Sequence, residues 1–148
     1  MPSAFSGASR TPQQGISSAA IPHRLGYGSA MICKANQRGY EPALPGIERK
    51  TLVHGDRTLM TEFRMRKGST LPRHAHPEEQ TGYLVSGRVR LAIGRRSVEA
   101  RPGDSWSIPG GTRHAAAILE DSVAIEVFSP VREDYLANDR WQASRSQR

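Results

Sequence analysis

From residue 51 onward, apolar and polar positions alternate with a period of two. Leu59, Thr61, Phe63 and Met65 alternate with Met60, Glu62, Arg64 and Arg66, the pattern of a strand with one covered face. Gly68-Ser69 ends that strand. Residues 83–85 lead into Ser86-Gly87, a predicted tight turn, after which Val89, Leu91 and Ile93 alternate with Arg88, Arg90 and Ala92 as far as Gly94. Residues 98–100 and 106–108 are short strands, set off by Arg101-Pro102-Gly103-Asp104 and Pro109-Gly110-Gly111. Two last strands are predicted over 114–119 and 122–128, and one helix over 133–140, after Pro130. Residues 40–47 read as an extended, turn-rich approach. Short strands at regular spacing with Gly and Pro punctuation predict an all-β sandwich or barrel. No internal repeat is visible.

The first 30 residues lack this alternation. They are rich in Ser, Ala, Gly and Pro and contain no acid, a composition expected to stay disordered. They lack the apolar centre of a secretory signal, and Met31 is an alternative start. The expected division is a disordered tail or extended arm over 1–40, one folded domain over 41–135, and a basic tail over 136–148. A chain of 148 residues suits one domain. Its net charge is +7, and Arg10, Arg24, Lys34 and Arg38 precede the first acid, Glu41. The basic residues are scattered with no accompanying motif, so nucleic acid is not an expected partner. The apolar runs are too short to cross a membrane as a helix. A lone cysteine, Cys33, excludes an internal disulfide and suits a reducing cytoplasm.

The candidate chemistry lies in two stretches. Gly68 is followed by His74-Ala-His76, Gln80 and Gly87, and Gly103 is followed by Pro109-Gly-Gly111 and His114. Residues i and i+2 of a strand face the same side, so His74 and His76 are expected to point together, with Gln80 at the same parity. His114 comes from a distant strand. Four such donors on at least two strands leave positions open for water or substrate. A His-x-His pair alone is weak evidence, since exposed strands carry it by chance. The surrounding glycines and proline, at fixed offsets, give the pair its meaning.

These two stretches resemble the two motifs of the cupin superfamily. The resemblance implies a double-stranded β-helix, a jelly-roll barrel, with one divalent metal ion (Zn, Ni, Mn or Fe) held by His74, His76, Gln80 and His114. The first motif most often has Glu where this chain has Gln80. Glu79 is adjacent, but its parity points it away. A shell of three histidines and an amide is neutral, so the ion would keep its full charge, which favours Lewis-acid work over oxygen chemistry.

On the last strand Val123, Ile125 and Val127 share one face, and Ala124, Glu126 and Phe128 the other. A carboxylate in a covered strand should be paired or functional. The segment from Glu126 through Phe128 and Arg132 to Tyr135 is similar to the C-terminal segment of pectin-degradation cupins that linearise 4,5-unsaturated uronates. That resemblance implies catalytic roles for Glu126, Phe128 and Arg132, with Glu126 standing where the family usually has Asp. An arginine beside a metal suits a carboxylate-bearing small molecule. Trp106 and Tyr83 read as core or pocket-wall aromatics, and His54 as lying outside the site. The expected function is a metal-dependent isomerase- or lyase-like enzyme acting on an acidic sugar derivative. The rivals are a cupin dioxygenase cutting a small enol or diketone, and a non-catalytic small-molecule-binding cupin. A homodimer is the assembly the resemblance implies.

Overall fold

The structure, a computed structural model, describes residues 32–136. Of the expected tails over 1–40 and 136–148, residues 1–31 and 137–148 lie outside the described residues. Eight strands follow one another: β1 (Glu41–Leu44), β2 (Ile47–His54), β3 (Leu59–Met65), β4 (Thr70–His74), β5 (Glu79–Ile93), β6 (Arg96–Ala100), β7 (Ser105–Ile108) and β8 (His114–Ser129). A single helical turn, α1 (Glu133–Leu136), closes the described chain. Positions 137–140 of the predicted helix are not described.

All pairings are antiparallel, and two long strands organise them. The first half of β8 lies between β4 and the second half of β5, which also pairs β6. The second half of β8 lies between β3 and the first half of β5, which also pairs β7. The β2 and β1 strands extend that side beyond β3. Two sheets thus share β5 and β8, which bend from one into the other, as in a jelly roll.

This corrects two expectations. Residues 83–93 are not two strands with a tight turn between them, and 114–128 is likewise one strand. The Ser86-Gly87 signal is a bend: the β5–β8 register shifts at Leu84/Ser86, Ser86/Arg88 and Arg88/Val89. Gly87 has φ of +87°, and a Cβ there would meet Asp121 O and Ser122 Oγ at 2.3 and 2.2 Å. Glycine is required by both the left-handed backbone and the close approach. Sequence signals for a bulge and for a turn are the same, and partner strands decide between them.

The sheet also begins earlier than the alternation suggested. Residues 40–47 are not only an approach: β1 and the first half of β2 form a hairpin there. Pro42 sits on β1, which pairs β2 alone, an edge position that tolerates the missing N–H. Residues ahead of β1 lie on β2 and β3. The Tyr40 hydroxyl donates to Glu62 at 2.5 Å, Arg64 stacks 3.7 Å from the Tyr40 ring centre, and the Lys50 ammonium donates to Asn36 O at 3.0 Å.

Two apolar clusters fill the barrel. Leu84, Val89, Leu91, Ala100, Ile118 and Ala124 pack at one end. Leu59, Phe128 and Tyr135 pack at the other, with Phe63, Val131 and Leu136 against them. On the outer face Met60, Tyr83 and Val85 stay exposed, so Tyr83 is a surface aromatic and not part of a pocket wall. Among the described residues, no helix is long and apolar enough to cross a membrane.

Gly82 is register partner to both Trp106 and Glu126, and the indole lies directly over it: a Cβ would meet the Trp106 ring at 2.2–2.4 Å. Gly82→Ala must therefore displace the indole. It should destabilise the fold by about 1–3 kcal/mol, as overpacking of a filled site does. Denaturant unfolding measures this, and an unchanged midpoint would show that the indole is not fixed there.

Candidate metal centre

The site begins with a register. His74 ends β4, His114 begins β8, and the two are ladder partners. Their ring centres lie 4.2 Å apart. His76 is not on the strand, as simple alternation assumed, because β4 ends at His74 and residues 75–78 form a loop. Its ring nonetheless joins the others, 5.7 Å from His74 and 5.1 Å from His114. The Pro109-Gly-Gly turn holds this loop. Gly111 N–H donates to His76 O at 2.7 Å, and a Cβ on Gly110 would lie 2.1 Å from Pro77 O. The second glycine-rich stretch therefore positions the second histidine of the first.

Hydrogen bonds set the tautomers. His74 Nδ1 lies 2.9 Å from Pro72 O, and His114 Nδ1 lies 2.8 Å from Thr112 O. A carbonyl can only accept, so each Nδ1 carries the proton and each Nε2 keeps its lone pair. His114 Nε2 is buried with no partner. His76 Nδ1 lies 3.2 Å from Glu78 Oε2, a close contact too bent for a full hydrogen bond. Its Nε2 is 3.0 Å from Gln80 Oε1. The Gln80 oxygen can only accept, so the same rule puts the His76 proton on Nε2; to serve as a ligand through Nε2 the ring would carry its proton on Nδ1, beside Glu78. Burial holds His114 below its ordinary basicity, and the neighbouring His74, His76 and Arg132 add to this against the opposing Thr112 bond. The ring is thereby kept neutral, as a ligand must be.

The nearest ligand nitrogens of His74, His76 and His114 lie within 4.8 Å of one another. Gln80 is 4 % exposed, whereas Glu79 points outward and pairs Ser129 at the end of β5. Three neutral imidazoles and an amide oxygen fit a divalent ion of the Zn, Ni, Mn or Fe kind.

Glu126 faces the same cavity from the middle of β8. The Gln80 amide donates to it, which turns the Gln80 carbonyl oxygen toward His76. The Trp106 N–H approaches the same carboxylate without closing a full bond. Burial pushes the Glu126 carboxyl up to about 7, against the opposing pulls of Gln80, Trp106 and Arg132. Phe128 is 1 % exposed, with its ring centre 5.7 Å from that of His76. Arg132 lies over Phe128 and Tyr135 and makes a two-point bond to Asp134, at 3.1 and 2.7 Å. The cavity has a volume of about 360 Å³. Its lining includes His74, His114, Gln80, Glu126 and Arg132, and much of the rest is apolar, with Leu71, Val89, Leu91 and Ala116 in the wall.

His54, at the far end of β2, does not line the cavity, and Trp106 does. Sequence reasoning missed Glu78, Arg49 and Tyr135 as wall or supporting residues. Arg49 was findable: with β2 starting at Ile47, alternation places Ile47, Arg49 and Thr51 on one face. Glu78 carries no local signal, because it sits in a loop whose path is set by Gly110 and Gly111.

Comparisons with known proteins agree with this fold. A family model described as "Cupin domain" matches residues 61–129. The pectin degradation protein KdgF of Dickeya dadantii is 30% identical over 93 residues, covering 62% of this chain and 84% of that protein. An acireductone dioxygenase of Exiguobacterium sibiricum is 36% identical over 62 residues, but these are 37% of this chain and 35% of that enzyme. Among solved structures, KdgF from Halomonas sp. superimposes with a TM-score of 0.67 at 29% identity, covering 70% of this chain and 98% of that one. That match reaches over almost the whole length of that KdgF, the family-model match over 61–129 includes both glycine-histidine motifs, and this chain belongs to the cupin superfamily.

Proposed function

We propose that this protein binds one divalent ion through His74, His76, Gln80 and His114 and isomerises a 4,5-unsaturated uronate to its open-chain keto acid. The observation that carries the reading is Glu126: a buried carboxyl, held up to about 7, in the same cavity as the histidine cluster and a cationic Arg132. The similarity to KdgF supports the substrate class. An ion in the shell would polarise a substrate oxygen as a Lewis acid without adding a redox step.

The chain's own groups then divide the work. Arg132 keeps Nη1 outside its pair with Asp134 and offers it to the substrate carboxylate. Glu126 accepts the proton of the C1 hydroxyl as the C1–ring-oxygen bond of the hemiacetal breaks. C1 becomes an aldehyde, and the ring oxygen leaves as an enol oxygen on C5. The same carboxyl returns the proton to C4, and C5 becomes a ketone. No atom is gained or lost. A carboxyl near neutrality can serve in both directions. Phe128 and Tyr135 wall the mouth and exclude water beside the reacting carbons.

A second reading has one observation in its favour. Much of the cavity lining is apolar, which offers sugar hydroxyls few partners and would suit an enol with an apolar tail, cut with O₂ by a redox-active ion. Oxygen uptake with such an enol, and none with the uronate, would select it.

With metal bound, the protein should speed the loss of enol absorbance of a 4,5-unsaturated uronate. Glu126→Gln should lower kcat by roughly 10²–10⁴-fold, whereas Arg132→Ala should mainly raise KM. A parent protein that leaves the uronate unchanged would refute the reaction.

The raised Glu126 carboxyl also predicts a pH dependence of stability. A group whose folded-state value is raised from 4.5 to about 7 stabilises fully below 4.5, and that contribution is lost as pH rises through about 7. His114, held below its ordinary value, acts in the opposite sense, with its contribution lost as pH falls. In metal-free protein, Glu126→Gln should therefore gain on the parent between about pH 5 and 8. Melting curves that stay parallel across this window would show that Glu126 is already ionised at its lower end.

A further inference from the structure

Arg49 is a cation on the inner face of the barrel. It lies on β2 between Ile47 and Thr51, opposite Phe63 on β3, and it lines the cavity that His74 and His114 also line. Its side chain is only 17% exposed. Charge in such a position is costly unless it is paired or used. One partner is Glu41 on β1, whose Oε1 accepts from Arg49 Nε at 3.1 Å. The rest of the guanidinium stacks on Tyr135, with its carbon 3.8 Å from the ring centre, and donates to the Tyr135 side chain.

Tyr135 carries a second guanidinium. The Arg132 carbon lies 4.1 Å from the same ring centre, so the two cationic carbons are within about 8 Å of each other. Both arginines line the cavity. Each is pinned along one edge by an acid, Arg49 by Glu41 and Arg132 by Asp134. Among the described residues, Arg49 has no further acceptor than Tyr135, and Arg132 Nη1 has none. Two like charges gathered on one buried phenol repel each other, and an anion between them relieves that repulsion. Pinning by acids also lowers the entropy lost when the free edges are engaged.

We propose that Arg49 is a second anchor for the substrate carboxylate, so that preference for an acid over a neutral sugar rests on Arg49 and Arg132 together, fixed on Tyr135. The inference deepens the uronate reading and relies on it for the presence of a carboxylate. Arg49 is a specificity-determining residue here, with no part in the proton transfer.

The test compares D-galacturonate with D-galactose, which differ only in carboxylate against hydroxymethyl, by calorimetry on the metal-loaded protein. The parent should bind the acid more tightly. Arg49→Ala and Arg132→Ala should each lose about tenfold or more in affinity for galacturonate, as expected for a charge-assisted bond, and leave galactose unchanged. The double variant should lose less than the product of the two single losses, because both residues hold one group. Arg49→Lys should recover only part of the preference, since an ammonium lacks the fork. Glu41→Gln removes the structural pair but keeps the cation; it should lower the melting temperature and retain the preference for acid. Equal affinity of the parent for the two sugars would overturn the proposal. So would an Arg49→Ala variant, or Arg49→Lys should the alanine protein not fold, that keeps the full preference. Loss of acid and neutral sugar alike in those variants would leave Arg49 a purely structural residue. Turnover of the unsaturated uronate is a separate readout. A clamp without turnover refutes the reaction alone, and turnover with KM unchanged in Arg49→Lys refutes the clamp alone.

Discussion

Three imidazoles gathered in the mouth of a barrel, with ligand nitrogens within 4.8 Å, are the constraint around which the rest is arranged. Two of them are ladder partners across β4 and β8, and backbone carbonyls bind their Nδ1 protons. Their Nε2 lone pairs are left facing one point. Of the two, His114 Nε2 is buried without a partner, which costs roughly 1–3 kcal/mol. Strand pairing, the Gly110-Gly111 turn against Pro77 and packing on Phe128 sustain the arrangement. A cation in the shell would convert that cost into binding energy, which is the usual coupling of metal to fold.

Glu126 belongs to the same account. It is a buried acid among apolar neighbours on β8, and it is tolerated because Gln80 donates to it and Trp106 stands close. Gly82 makes room for that indole. The Gln80 amide thus joins two parts of the site. Its nitrogen satisfies the acid, and its oxygen is presented to the histidines. Glu126 and the two stacked arginines line one cavity with His74, His114 and Gln80. An acid and two cations in one cavity suit proton transfer on an acidic substrate.

Much of this was legible in the chain. Alternation located β3, most of β5 and the strands after it but gave no strand over 70–74, and Gly68, His74, His76, Gln80, Gly103, Pro109, Gly111 and His114 carried the cupin resemblance that implied the barrel. Parity placed Gln80 inward and Glu79 outward. The bends in β5 and β8 were not legible, because Ser86-Gly87 reads as a turn until a partner strand is known. Pro42 and Pro45 hid β1 and the start of β2, and with them Arg49. The support that Glu78 gives His76 depends on a loop held from thirty residues away, which no local pattern encodes. His76 reaches the cluster by that loop and not by strand alternation, so the right grouping was read for an incomplete reason.

The most direct test of the metal centre is elemental analysis of purified protein after loading and removal of loose ions. The account predicts about one divalent ion per chain. His114→Ala should lose most of it, since this removes the buried nitrogen that has no other partner. Glu126→Gln should keep it, because Glu126 only supports the shell. A His114→Ala protein that retains as much metal as the parent would contradict the proposed ligand set.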